Sequence, residues 1–395
     1  MKNDKCRFVA FYLPQFHPIP ENDKWWGKGF TEWTNVAKAK PLFRGHVQPR
    51  VPADLGFYDL RMPEVREAQA RLAADAGIEA FCYYHYWFGE GRQLLERPFN
   101  EVLASHSPDF PFCLCWANHS WQTSTWTNKT SRIKDSVMIA EQKYPGREDN
   151  ELHFNTLLEA FRDSRYMRVD GRPLFAIFDP FRFEGIKEFI AQWRELAAAS
   201  GLGDFHFVGI VRTANPTSYI KSKAHNLKDD EAVAENRIAT VLEMGFDAVA
   251  TDNHQFAQIM ARGIVRSSLH DFVSQKLGIR RPFVFRQSQI NRHMLIGAEA
   301  RENVYPTLVP NWDRTPRNRE DAVYVKSTPE EFEKITRRAL SLVSGKSEEH
   351  RLIFIKSWNE WGEGNYLEPD MQYGHGYLDA LRGACGIARD AKEEQ

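Results

Sequence analysis

The chain has 395 residues, 42% of them hydrophobic, and a balanced charge: 52 Lys+Arg against 53 Asp+Glu, a formal net charge of −1. That balance excludes a long-range pull towards nucleic acid or an anionic membrane, and no apolar run is long enough for a membrane span. The N-terminal residues Met1 to Cys6 show no apolar signal-peptide segment, so a cytoplasmic protein is expected, with Cys6, Cys82, Cys113, Cys115 and Cys385 as reduced thiols.

The pattern along the chain alternates short β-branched or aromatic runs with amphipathic helices. A first strand over Arg7 to Pro14 leads through a long loop to a helix opened by Pro63 and ended by Gly77. A second run, Ile78 to Phe88, precedes a helix around Leu94 to Ala104. The third, Phe110 to Asn118, precedes a polar excursion and a helix from Asp149 to about Phe161. The fourth, Pro173 to Pro180, is followed by a helix over Gly185 to Ser200. The fifth, Phe205 to Arg212, is followed by one near Glu231 to Met244. The sixth is Phe246 to Asn253; residues 254–300 read as its helix plus an insertion. The seventh, Asn303 to Asp313, precedes a helix from Thr328 to Ser344, and the eighth, Arg351 to Trp358, precedes one from Gly376 to about Ala391. This alternation predicts an α/β fold, a (β/α)8 TIM barrel over residues 1–395 as a single domain, with elaborated βα loops near 14–62, 119–148 and 254–302. The first loop, Pro14 to Pro18, lacks the glycines of a doubly wound nucleotide-binding fold.

Active sites of such barrels lie at the C-terminal strand ends. There the sequence collects polar, acidic and aromatic side chains with few basic ones, although Arg44, Arg212 and Arg314 lie nearby, and this points to a neutral, hydroxyl-rich ligand. Glu360-Trp361-Gly362-Glu363 follows the last strand. In a turn its glutamates share a face, and their repulsion would raise the pKa of one and leave a proton donor near neutral pH. They are the candidate catalytic pair. The candidate substrate-binding residues are Tyr12, His17, Trp33, Tyr84, His85, Tyr86, Trp116, Asn118, Asp179, Trp312, Asp313, Trp358, Asn359 and Trp361. Each has a plainer alternative. His85 could be a core histidine, Asp179 a turn cap, Asp313 a partner of Arg314 or Arg317, and any single Trp a core residue. No ligand spacing supports a metal site at His119 or Asp252.

The runs Phe11-Tyr12-Leu13-Pro14-Gln15-Phe16-His17-Pro18, Trp25 to Val36, Tyr83-Tyr84-His85-Tyr86-Trp87-Phe88 and Trp358-Asn359-Glu360-Trp361-Gly362-Glu363-Gly364 resemble the WbsX-like family, related to the endo-α-mannosidases of glycoside hydrolase family 99. The resemblance extends from about residue 7 to residue 380. It implies a (β/α)8 barrel that needs no metal or organic cofactor. It also implies that Glu360 takes the proton of the substrate's 2-hydroxyl while that oxygen attacks C1, and that Glu363 protonates the leaving oxygen and later activates water. The sequence departs from the family pattern at Asn118-His119-Ser120-Trp121, at Thr251-Asp252-Asn253-His254 and at Asn311.

The expected function is a retaining endo-type glycoside hydrolase or transglycosylase on α-linked glycans, with mannose-containing ones among the candidates, in bacterial surface-polysaccharide metabolism. One alternative is a glycosyltransferase of lipopolysaccharide or O-antigen biosynthesis; another is a non-catalytic glycan-binding barrel. The partner implied is an oligosaccharide or polysaccharide, and the oligomeric state is left open.

Overall fold

The computed structural model describes residues 6–122, 137–214, 227–262 and 282–387. Its core is a ring of parallel strands: β1 (Arg7–Tyr12), β2 (Ile78–Trp87), β3 (Phe112–Trp116), β4 (Arg172–Ile177), β5 (His206–Arg212), β6 (Ala248–Asp252), β7 (Val304–Tyr305, continued by Thr307–Leu308) and β8 (Leu352–Ile355). The ring closes through β7. Val304 and Tyr305 pair with β6, whereas Thr307 and Leu308 pair with β8. Pro306 between them has no N–H to give, but its carbonyl accepts from Phe354 N at 2.9 Å, so the seam stays bonded.

Helices follow the strands and cover them: α1 (Pro63–Asp75), α2 (Arg97–Ser105), α3 (Arg147–Arg162), α4 (Ile186–Ala199), α5 (Leu227–Glu243), α6 (His254–Arg262), α7 (Pro329–Val343) and α8 (Gly376–Cys385). Their sequence signals act locally. Pro63 opens α1 and Pro329 opens α7, where the Thr328 side chain also accepts from Glu331 N. The predicted strands and helices match these elements with shifted ends: most are trimmed, whereas α3 and α5 begin before the expected Asp149 and Glu231. The predicted extension of the last helix beyond residue 387 lies outside the described residues. Several features had no counterpart in the sequence reading, among them the following. The first loop carries short helices at Pro20–Trp26 and Glu32–Lys38. Trp121–Gln122 pairs with Met138–Ala140. Outside the barrel, Phe283–Arg286 pairs in parallel with Ala322–Val325.

The alternation of side chains along each strand decides what reaches the barrel mouth. Phe11 of β1 faces inward, stacked between Tyr84 and Phe354 at 5.5 and 5.3 Å. Tyr12 faces outward, and its hydroxyl donates to Gln69 of α1 at 2.7 Å. In β2, Tyr84 and Tyr86 reach the cleft at the mouth, whereas His85 meets His153 of α3 with 2.8 Å between their Nε2 atoms. All five cysteines are free thiols. No helix among the described residues is long and apolar enough to cross a membrane.

Candidate active site

Past β8 the chain crosses back over the barrel mouth. Asn359 extends the β1–β8 pairing with its side chain: Oδ1 accepts from Leu13 N at 2.7 Å and Nδ2 donates to Leu13 O at 3.1 Å. Glu360 then enters a short antiparallel bridge in which Asn359 and Glu360 face Tyr366 and Asn365. Trp361–Glu363 forms one 3-10 turn. Side chains three apart nearly eclipse in such a turn. Glu360 and Glu363 therefore reach the same cleft, of about 350 Å³. Trp361 goes the other way, stacked on Tyr366 at 3.8 Å with Nε1 donating to Glu368 at 2.6 Å.

The glycines around Glu363 are there because neighbours press on both sides. A Cβ on Gly362 would stand 1.7 Å from Glu32 Oε1, and one on Gly364 would stand 2.7 Å from Asp313 N; Gly364 also has φ +60°. The loops after β7 and β8 are thereby interlocked, and Asp313 N donates to the Glu363 carbonyl at 2.8 Å. Asp313 itself is fully buried. Its carboxylate accepts from Gln48 Nε2 at 2.7 Å and from the Thr315 hydroxyl at 2.6 Å, with His46 Nε2 2.7 Å away. It orders the turn that carries Arg314 and Arg317.

Those arginines set the charge of the glutamates. Arg314 Nε lies 3.0 Å from Glu363 Oε1. Arg317 bonds the same oxygen through Nη1 and grips Glu32 through Nε and Nη2 at 2.9 and 2.8 Å. Burial would raise the Glu363 carboxyl, but Arg317 and Arg314 outweigh it and hold Glu363 well below the usual carboxylate range. Glu360 has no such contact. Burial first, and then the neighbouring Glu363 charge, push it up to about 8. The two carboxyls are close enough for each to shift the other's titration. The arginines thus favour the charged form of Glu363, and burial favours the neutral form of Glu360. The arginines of the β7 loop converge on the second glutamate, an asymmetry that favours the opposite division of roles from the one the family resemblance implies.

Of the residues singled out from sequence, Glu360, Glu363, Tyr84, Tyr86 and Trp312 line the cleft. The others do not. Tyr12 and His85 face the helix layer, as does Trp116, whose Nε1 donates to Trp87 O at 2.9 Å. Trp33 is buried in the first loop, bonded to Tyr58 O at 2.8 Å, and His17 is buried there too. Trp358 packs on Phe81 at 5.2 Å. Asn118 bridges to the Asp179 backbone, and Asp179 pairs with Arg182 at 2.9 Å, the turn-stabilising role. Asp313, Asn359 and Trp361 act as struts beneath the site. In each case a strand's parity or a buried partner takes the side chain away from the mouth.

The sequence reading places Arg212 and Arg314 near the rim but does not bring Arg317 and Lys356 there. Arg212, Arg317 and Lys356 line it together with Arg314, and His119 and His254 join them. Lys356 Nζ lies 3.0 Å from Asp252 Oδ2, and Asp252 also bonds His254 Nδ1. Lys356 was legible in principle: on β8 it follows the buried Ile355, at the position where a strand end meets the rim.

Comparison with known proteins fits this architecture. A glycoside hydrolase-like protein of solved structure superposes with a TM-score of 0.56 at 14% identity, covering 98% of this chain and 96% of the other, which is a likeness of fold. The endo-alpha-mannosidase of Bacteroides thetaiotaomicron reaches 0.48 at 16% identity over 98% and 100% of the two chains. In sequence, WxcX of Xanthomonas campestris pv. campestris strain B100 is 36% identical over 389 residues, 98% of this chain and 50% of its own length. The chain therefore spans about half the length of the curated relatives it matches. The family model described as Glycosyltransferase WbsX matches residues 8–381, and the chain belongs to that family.

Proposed function

We propose that the chain is a carbohydrate-active enzyme that breaks an α-glycosidic bond with retention, as an endo-type hydrolase or transglycosylase of bacterial surface-polysaccharide metabolism. The observation that carries this reading is the asymmetric pair: Glu363 gripped by Arg314 and Arg317, with the buried Glu360 beside it in one cleft, an arrangement that favours a charged Glu363 and a protonated Glu360. Glu363 takes the proton of the sugar's 2-hydroxyl as that oxygen bonds to C1. The C1–O bond to the leaving group breaks, and Glu360 gives its proton to the departing oxygen. In the second half Glu360, now a carboxylate, takes a proton from water or an acceptor hydroxyl. That oxygen opens the anhydro-sugar at C1, and the 2-oxygen recovers its proton from Glu363. A retaining pair stands about 5–5.5 Å apart and an inverting pair roughly 6.5–9.5 Å to admit a water; the mutual influence of Glu360 and Glu363 supports the closer spacing. Tyr84, Tyr86 and Trp312 supply walls on which sugar rings can pack.

The test is Glu360→Gln and Glu363→Gln, each of which should lower turnover of a cleaved glycan about 10²–10⁴-fold. Unchanged turnover in both would remove the mechanism and leave a glycan-binding barrel. The family's description favours a second reading, transfer from a nucleotide sugar. Product that forms only when a nucleotide sugar is added would establish it in place of hydrolysis.

A further inference from the structure

Four cationic side chains line the cleft, and three are matched by carboxylates. Arg314 faces Glu363 and Asp321, Arg317 faces Glu32 and Glu363, and Lys356 faces Asp252. Arg212 is different. Among the described residues its guanidinium has no carboxylate partner; it lies over the ring of Phe178, 5.4 Å from the centroid. The nearest acid by register is Asp252, its partner across the β5–β6 ladder. That carboxylate is already engaged by His254 and Lys356.

Asp252 feels the charge of Arg212 without an ion pair to it, and the rest of the nearby wall offers hydrogen-bonding groups. His119 lines the same wall with Nδ1 buried and without a partner. Burial and then the cations Arg182 and Arg212 push this imidazole down to about 4, so it is neutral at physiological pH. Trp312 Nε1 and Gln255 Oε1 are likewise buried in the cleft lining without a protein partner. A half-buried guanidinium whose nearby carboxylate is already shared with Lys356 and His254 is costly to hold. Its planar fork suits a two-oxygen anion better than a single hydroxyl.

Resting on the reading of this cleft as a glycan site, we propose that its saccharide carries one anionic oxyacid group, a uronate carboxylate or a phosphate, and that Arg212 binds it. The full chain is titrated at low salt with glucuronate, glucose, mannose 6-phosphate and mannose, and tryptophan fluorescence or heat is followed. At least one anionic sugar should bind about tenfold or more tighter than its neutral parent, and the stronger of the two identifies carboxylate or phosphate. Arg212→Gln should bring that ratio to within about twofold. In the natural protein, salt raised from about 0.01 M to about 0.5 M should shrink the ratio without any variant. Equal binding of neutral and anionic sugars, a preference that survives Arg212→Gln, or saturation by none of the four would overturn the proposal. Binding needs no turnover, so the two ideas fail separately. A lost preference with normal glycan cleavage removes this inference alone. An intact preference with Glu360→Gln and Glu363→Gln fully active removes the catalytic reading alone.

Discussion

Replacing Arg317 by glutamine tests the electrostatic division of the two glutamates. The arginine side chain is 6% exposed and Glu32 is 0% exposed. Among the contacts the substitution removes are two bonds to Glu32, at 2.9 and 2.8 Å, and one to Glu363. Stranding one member of a buried ion pair costs about 3–5 kcal/mol. The variant should therefore melt earlier, and Glu32 should take up a proton. Glu363 keeps Arg314 at 3.0 Å, so only part of its stabilisation is lost. Losing an adjacent cation raises a carboxyl by about 1–3 pH units. An acidic limb of kcat/KM that lies below the ordinary carboxylate range in the natural protein should climb towards about 4.3. Glu360 also feels Arg317, so its basic limb should move up as well. Arg317→Lys keeps the charge but loses the fork, and should fall between the two. The assay is kcat/KM against pH, run beside thermal unfolding of the same samples. An active variant with both limbs unmoved would refute the reasoning.

In the natural protein, kcat/KM should fall as pH rises through about 8, because Glu360 donates only while protonated and its carboxyl is pushed up to about 8; a plateau from pH 6 to pH 10 would be inconsistent with that role. Gly362→Ala places a methyl group 1.7 Å from Glu32 Oε1 and should destabilise the fold by about 1–3 kcal/mol while disturbing Glu363. Gly383→Ala in α8 is the control: its nearest neighbour would be Glu333 Oε1 at 3.8 Å, and it should gain about 0.4–1 kcal/mol. Chemical denaturation of both proteins checks the contrast, and equal effects would remove the packing argument for Gly362.

The barrel was legible because its signals are local. Hydrophobic runs of strand length, Pro63 and Pro329 at helix starts and the glycines beyond helix ends each act within a turn of the chain. The glutamates were legible for the same reason, since a three-residue spacing flanked by Gly362 and Gly364 forces a turn. The substrate wall was read poorly. Tyr12 and His85 sit next to Phe11 and Tyr84, and an alternation of one residue separates the barrel interior from the helix layer. Polar and aromatic character alone does not say which side a residue faces. The charge network was the least legible part. Arg317 meets Glu32 across 285 positions of sequence and Glu363 across 46. No spacing rule joins them; the contact exists because Asp313, Gly362 and Gly364 lock two loops together.

Carboxyl-carbon NMR of glutamate-labelled protein addresses the division of charge between the two glutamates most directly. The pair should show one resonance with a midpoint near 8, absent from Glu360→Gln, and another still ionised at the lowest pH at which the fold persists, absent from Glu363→Gln. Two resonances that both titrate near about 4.3, the value of an unperturbed glutamate, would contradict the account.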